Sequence, residues 1–263
     1  MNQNNQSTYD HFAVNQGILS NYQNATIPDE HSLIKISQLT KRYDNFTALH
    51  NINLSLPKGK VIGLLGPNGS GKTTLIKLLA NLLTQYEGSI LIDGKKPGFD
   101  TKSIVSYLPD RNYLIDKWTT NNAITYFEDF YADFDKAKAQ NLMAQLGIDC
   151  TRRFKILSKG TKEKVQLALV LSRNAKLYIF DEPIAGVDPA TRDFIFSMIL
   201  KNYNKDASVI ISTHLILEAE SIFDYAIFLK NGQIALAGSS NDIRVKHQKS
   251  LNDLFREVFR YDA

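Results

Sequence analysis

Gly66-Pro-Asn-Gly-Ser-Gly-Lys-Thr-Thr74 follows the apolar run Val61 to Leu65 and precedes the helix-like stretch Leu75 to Leu83. It fits G-x-x-x-x-G-K-S/T in a strand, loop, helix setting, which places a phosphate-binding loop at the carboxyl edge of an α/β sheet. Gly66, Gly69 and Gly71 allow positive φ and close backbone approach, turning amide N–H groups toward phosphates. A helix beginning near Lys72 adds the positive end of its dipole. Lys72 supplies a mobile charge for the β- and γ-phosphates, and the Thr73 hydroxyl suits Mg²⁺. Gly66, Asn68, Gly69, Ser70, Gly71, Lys72, Thr73 and Thr74 are therefore the candidate contacts to a nucleoside triphosphate.

Downstream, Leu177-Tyr-Ile-Phe-Asp-Glu-Pro183 reads as a buried strand that delivers two acids to the sheet edge, the Walker B arrangement. Asp181 is expected to hold Mg²⁺ and Glu182 to orient or deprotonate the attacking water. Leu157-Ser-Lys-Gly-Thr161, ahead of the helical stretch Lys162 to Ser172, resembles the LSGGQ signature of the ATP-binding cassette (ABC) ATPases. Ala185-Gly-Val-Asp188 then resembles that family's D-loop, and Ser212-Thr-His214, after the strand Ser208 to Ile211, its switch histidine. The resemblance covers roughly Leu33 to Gly238 and identifies the chain as similar to this family.

Several expectations come with the resemblance. Ser158, Lys159 and Gly160 would bind the γ-phosphate of ATP held by a second cassette, although Lys159 and Thr161 depart from the family's glycine and glutamine. A lone Ser-x-Gly before a helix is otherwise an N-cap. Asp188 is the D-loop acid, and His214 would contact the γ-phosphate and hold the attacking water with Glu182. Tyr43 stands where the family stacks an aromatic ring on adenine, with Phe46 the competing candidate and an edge-strand core role the alternative. In Tyr107-Leu-Pro-Asp110 the family's Q-loop glutamine is replaced by Asp110. A carboxylate there can ligate Mg²⁺ but cannot donate to a phosphate, and it can equally begin the Asp-Arg-Asn turn. Leu108-Pro-Asp110, Leu157 to Gly160 and Asp181 to Pro189 look like cassettes of bacterial exporters whose ATPase and membrane subunits are separate chains.

The fold implied is α/β: a P-loop cassette with a mostly parallel core sheet, an antiparallel β subdomain and a helical subdomain. Leu33-Ile-Lys-Ile and Ile52-Asn-Leu-Ser-Leu alternate with period two and suit short antiparallel strands. Ser89 to Ile92, Ile104 to Tyr107, Leu177 to Phe180, Ser208 to Ile211 and Tyr225 to Leu229 alternate with helical segments and read as the mostly parallel sheet. Residues 111–172 should form the helical lobe, with helices over Thr119 to Ala132 and Asp135 to Leu146. There Ile124, Phe127, Tyr131 and Phe134 recur at helical spacing as core, while the exposed margin of that stripe and Trp118 are candidate contacts to a membrane partner. Residues 32–240 make the cassette, 241–263 a C-terminal helical extension, and the Asn- and Gln-rich residues 1–31 a flexible tail.

The 263 residues with 43% hydrophobic content suffice for one two-lobed domain and leave no room for a second cassette. No run approaches the roughly 18 apolar residues of a membrane helix. No cationic stretch followed by an apolar one opens the chain, so no cleaved leader is expected. Cys150 is the single cysteine, which excludes an internal disulfide and a multi-cysteine metal site. The net charge of +4 is spread among acids, and no nucleic-acid partner is expected. Lys162 and Lys164 read as a solvated helix face, and His11, His31, His50 and His247 have no catalytic setting.

Together these point to an ATPase using ATP and Mg²⁺. The resemblance implies a cassette that pairs head to tail with a second one, as a homodimer or heterodimer, and docks on a separate transmembrane permease at the cytoplasmic face of the membrane. The alternatives from the same residues are a soluble ABC ATPase of the assembly type and an ATP-gated module with weak hydrolysis.

Overall fold

The computed structural model describes residues 32–259; the expected tail, residues 1–31, and residues 260–263 lie outside them. Two sheets share the work. β1 (Ser32–Tyr43), β2 (Phe46–Pro57) and β4 (Glu87–Ile92) form an antiparallel sheet in the order β2-β1-β4. The second sheet contains β3 (Val61–Leu65), β5 (Val105–Leu108), β6 (Leu177–Asp181), β7 (Ser208–Thr213), β8 (Tyr225–Lys230) and β9 (Gln233–Ser239). Its order is β5-β6-β7-β3-β8-β9, parallel throughout except for β9.

Ser89–Ile92 is thus not a strand of the parallel sheet, as its position among helices suggests; it pairs with β1, Ile34 opposite Ile92 and Ile36 opposite Ile90. Its pattern explains the difference: the parallel strands β3, β6 and β7 are buried on both faces, whereas β4 buries only its last part. The segment Leu33 to Leu56 is also two long strands rather than several short ones. β9 closes the sheet through the two-residue turn Asn231–Gly232, with φ of 47° and 73°, values that suit a type I′ hairpin.

Alternate side chains of the parallel strands feed two different cores. Ile62, Leu64, Ile179, Ile210 and Ile227 join β1, β2 and β4 around helix α1 (Lys72–Leu79). Val61, Tyr178, Phe180, Ile211 and Phe228 face the other way, toward the helical lobe. That lobe is α3 (Thr120–Phe130), α4 (Lys136–Gln145) and α5 (Lys159–Leu171); the short helix α2 (Phe99–Lys102) precedes β5. Thr119 and Asp135 cap α3 and α4, each accepting the amide three residues on, which fixes where these helices begin. Ile124 and Phe127 are buried, and Tyr131 and Phe134 pack against them, so the aromatic stripe is core. After α6 (Pro189–Asn202) and α7 (Ile216–Ala219), the C-terminal extension comprises α8 (Ser240–His247) and α9 (Leu251–Val258). Leu251 and Leu254 are buried, and Phe228 of β8 meets Phe255 edge-on and Phe259 at a tilt.

A polar joint centred on Arg173 helps tie the lobe to the sheet. Arg173, 3% exposed, donates through Nε and Nη2 to both Asp133 oxygens, at 2.9 and 3.1 Å. It also donates to the carbonyls of Val105 and Ser103 at 2.6 and 2.9 Å, and its guanidinium lies 3.9 Å from the Tyr131 ring centre. A planar fork with five donors satisfies this many acceptors at once; a lysine could not. Removing one partner of a buried charge pair leaves the other uncompensated. Arg173→Ala is therefore expected to lose about 3–5 kcal/mol of unfolding free energy, read as a lower urea midpoint. Lys102→Ala, at an exposed side chain beside the same cluster, should stay within about 0.5 kcal/mol.

Candidate active site

The loop between β3 and α1 is shaped by close approach as much as by dihedral freedom. Gly71 has φ of 109° and opens α1, with no side chain capping the first amides of the helix. Those N–H groups are therefore directed at whatever occupies the loop. Gly66, expected to need positive φ, does not have it; a Cβ there would lie 2.4 Å from the Leu229 carbonyl, so its requirement is steric. The β8–β9 turn braces the loop from behind, with Gly232 N–H donating to the Ser70 carbonyl at 2.9 Å.

Lys72 is 5% exposed, and its Nζ donates to the carbonyls of Gly66 and Pro67 at 2.7 and 3.2 Å. The same Nζ lies 3.3 Å from Oε1 of Glu182. Across the carboxylate, Oε2 of Glu182 is 3.0 Å from Nδ1 of His214. A carboxylate only accepts, so Nδ1 is the donor. Lysine from the start of α1, and glutamate and histidine from just beyond the paired strands β6 and β7, thus form one continuous chain of contacts.

Asp181 is completely buried at the end of β6. Its Oδ1 accepts from Ser212 Oγ at 2.6 Å and lies 3.4 Å from Thr73 Oγ1. Burial pushes its carboxyl up from the ordinary carboxylate range; the Ser212 and Thr73 hydrogen bonds oppose this, and the charges of Asp110 and Glu182 add to it. Oδ2 is buried and, among the described residues, accepts no hydrogen bond. A buried carboxylate oxygen with an unused lone pair beside a hydroxyl is a donor set that fits a hard divalent cation such as Mg²⁺.

Asp110 follows β5, starts a bend and lines the same cleft as Asp181; its charge adds to the raising of Asp181, and burial, then the charges of Asp181 and Asp110, raise the Tyr107 phenol. The chain just after it is held to the helical lobe, where Gln166 Nε2 donates to the Arg111 carbonyl at 3.4 Å. A cleft of about 570 Å³ runs between the sheet edge and α5, with Asn68, Asp110, Gly160, Asp181, Glu182 and His214 on its walls. A shallower depression of about 660 Å³ at Asp133, Arg173 and Tyr203 lies away from the P-loop.

The remaining candidates sit elsewhere. Ser158 caps α5, accepting the Thr161 amide at 3.1 Å, while Lys159 is an exposed side chain 3.7 Å from Glu163. Asp188 caps α6, accepting the Thr191 amide at 3.0 Å. Tyr43 is at the tip of the β1–β2 hairpin, opposite Phe46; at 41% and 63% exposed, neither ring is core, and Lys41 Nζ lies 4.8 Å from the Tyr43 ring centre. Sequence reasoning assigned no role to Ser212, Gln166 or the Asn231–Gly232 turn. Only the turn carries a local signal, the Asn-Gly pair between two apolar strands.

A family profile described as ABC transporter matches residues 49–185. The chain is 30% identical over 222 residues to the ABC transporter ATP-binding protein YtrB of Bacillus subtilis, covering 82% of this chain and 75% of that protein. It is 31% identical over 225 residues to the manganese transport system ATP-binding protein MntB of Bacillus subtilis, covering 81% and 90%. A solved ATP-binding subunit of an ABC transporter superposes with a TM-score of 0.77 at 26% identity, covering 86% of this chain and 99% of that one. The P-loop, the two acids ending β6 and the histidine after β7 meet at one sheet edge in a chain with these relatives, and the protein belongs to the ABC transporter family as an ATP-binding ATPase subunit.

Proposed function

We propose that this chain powers translocation by a membrane transporter of the exporter type whose permease is a separate chain, working as one of two cassettes that close head to tail on MgATP and part after hydrolysis. The observation that carries the reading is the contact chain from Lys72 through Glu182 to His214 beside Asp181. It gathers a phosphate-binding cation, a carboxylate able to orient or deprotonate water, and an imidazole that steadies that carboxylate. The exporter arrangement rests on the resemblance of Leu108 to Asp110, Leu157 to Gly160 and Asp181 to Pro189.

In this mechanism the loop amides and the α1 N-terminus cradle the phosphates, and Lys72 exchanges its carbonyl partners for phosphate oxygens. Glu182 aligns water with the γ-phosphorus and takes its proton; His214 holds the carboxylate and meets the γ-phosphate. Tyr43 stacks on the purine, with Phe46 beside it. Thr73 and Asp181 would hold Mg²⁺, with Asp110 adding charge from β5. Bound there, the ion neutralises charge on the phosphate oxygens during transfer. Ser158 and Gly160 of the second cassette meet the γ-phosphate in trans, a role supported by the open space around Gly160, where a Cβ would touch no atom of the described residues within 4 Å. Asp188, as cap of α6, sets the D-loop beside that junction. Among the described residues no helix is long and apolar enough to cross a membrane, and the proposal gives that task to the permease.

Glu182→Gln is expected to bind ATP within about threefold of wild type, lose at least about 100-fold in turnover, and become dimeric with MgATP by light scattering. Normal turnover would remove Glu182 from its role. Captured with MgATP from native membranes, the same variant should retain a polytopic membrane protein in stoichiometric amount; recovery of soluble partners alone would overturn the transport reading. Lys72→Ala should instead raise the Kd for ATP by about tenfold or more, read by fluorescent nucleotide titration. Asp181 gives a prediction of opposite sign. The fold disfavours its ionised form, so its contribution to stability falls as pH rises through the ordinary carboxylate range to its raised folded value. Asp181→Asn should thus be no less stable than wild type at neutral pH while losing activity, and a lower Tm without nucleotide would contradict this.

A further inference from the structure

Glu182 has φ of 50°, in the left-handed region that a residue with a Cβ rarely occupies. The turn it makes at the end of β6 aims its carboxylate between Lys72 and His214. A disfavoured dihedral persists only where its surroundings enforce it: the Glu182 carbonyl accepts from the Ala185 amide at 3.1 Å, and its amide is held by one residue of the neighbouring strand. The Glu182 amide donates to the Ser212 hydroxyl at 2.9 Å and lies 3.2 Å from the Ser212 carbonyl oxygen. Ser212 is completely buried, and its hydroxyl donates to Asp181 Oδ1 at 2.6 Å. A hydroxyl has one proton; with that proton held by Asp181, its lone pairs remain for the Glu182 amide.

We propose that Ser212 is a positioning residue for ATP hydrolysis: its hydroxyl, oriented by Asp181, pins the Glu182 amide and so sets the aim of the carboxylate. This rests on the reading of Glu182 as the residue that orients the attacking water. The hydroxyl touches no reacting atom, and its effect falls on turnover rather than on nucleotide binding. An alanine at this position keeps the main-chain carbonyl contact but removes both the pin and the donation to Asp181 Oδ1, so loss through Asp181 has to be separated from loss through Glu182 by the double variant.

The test compares wild type, Ser212→Ala, Ser212→Thr, Glu182→Gln and the double variant Ser212→Ala/Glu182→Gln, each checked for native circular dichroism. Ser212→Ala is expected to lower kcat by about 10- to 100-fold while the KM for ATP moves less than about threefold, because misaim of a reacting group by a fraction of an ångström costs turnover. Ser212→Thr, which retains the hydroxyl, should recover most of that loss. In single-turnover reactions with labelled ATP, adding Ser212→Ala to Glu182→Gln should leave the residual rate unchanged, since the two act through one group. A kcat for Ser212→Ala within about twofold of wild type would overturn the proposal. So would an equal proportional loss in the Glu182→Gln background. Normal turnover by Glu182→Gln alone would instead refute the underlying reading of Glu182.

Discussion

Asp181 is a fully buried carboxyl group behind the wall of the cleft, and much of the site is organised around that burial. Its position at the end of a strand buried on both faces follows from parallel pairing with β5 and β7. Burial disfavours the charged form of a carboxyl group, and the raised titration of Asp181 expresses this. Ser212 and Thr73 counter it with hydrogen bonds, whereas Asp110 and Glu182 add negative charge. The site is thus electronegative by construction. Lys72, held by two loop carbonyls and close to Glu182, is the cation buried with it. Such a site is complementary to a divalent cation carrying a polyphosphate more than to the phosphate alone.

The two cores explain how this edge is held while the lobes around it differ in character. The face of the parallel sheet shared with β1, β2, β4 and α1 is a continuous aliphatic layer that fixes the P-loop. On the other face the helical lobe meets the sheet through a second apolar core and through a polar joint centred on Arg173. Directional bonds to Asp133, Val105 and Ser103 define one relative placement of lobe and sheet, where apolar packing alone would tolerate sliding. Gln166, bonded to the Arg111 carbonyl, is a second link between α5 and the segment after Asp110.

Much of this architecture is legible in the sequence, and the illegible part has a common cause. The P-loop, the acids ending β6 and His214 announce themselves because each is a short pattern in a recognisable local setting. The caps Thr119, Asp135 and Ser158 are likewise local, each serving the amide three residues on. Ser89–Ile92 was misplaced because alternation with helices says where a strand falls in the chain but not which sheet it joins. Ser212 and Arg173 escaped for a related reason: their partners are 30 to 31 and 40 to 71 residues away, and serine or arginine has no periodicity that betrays such a contact. For Asp110 the residue type alone suits turn and metal contact equally; the effect of its charge on Asp181 is a property of the folded sheet.

The Asn231–Gly232 turn has the composition of a surface hairpin tip, the kind of place where natural chains gain or lose residues without harm. Here the Gly232 amide bonds to Ser70, its carbonyl accepts from the His50 amide at 2.8 Å, and neighbouring Lys230 reaches the Val258 carbonyl at 2.8 Å. The phosphate loop, the antiparallel sheet and the last helix therefore meet at a two-residue connection whose length cannot vary. Circular permutation, tag insertion or domain fusion at this point would sever three regions at once, and a chain of this kind can diversify at its lobe and its ends far more freely than at this inconspicuous bend.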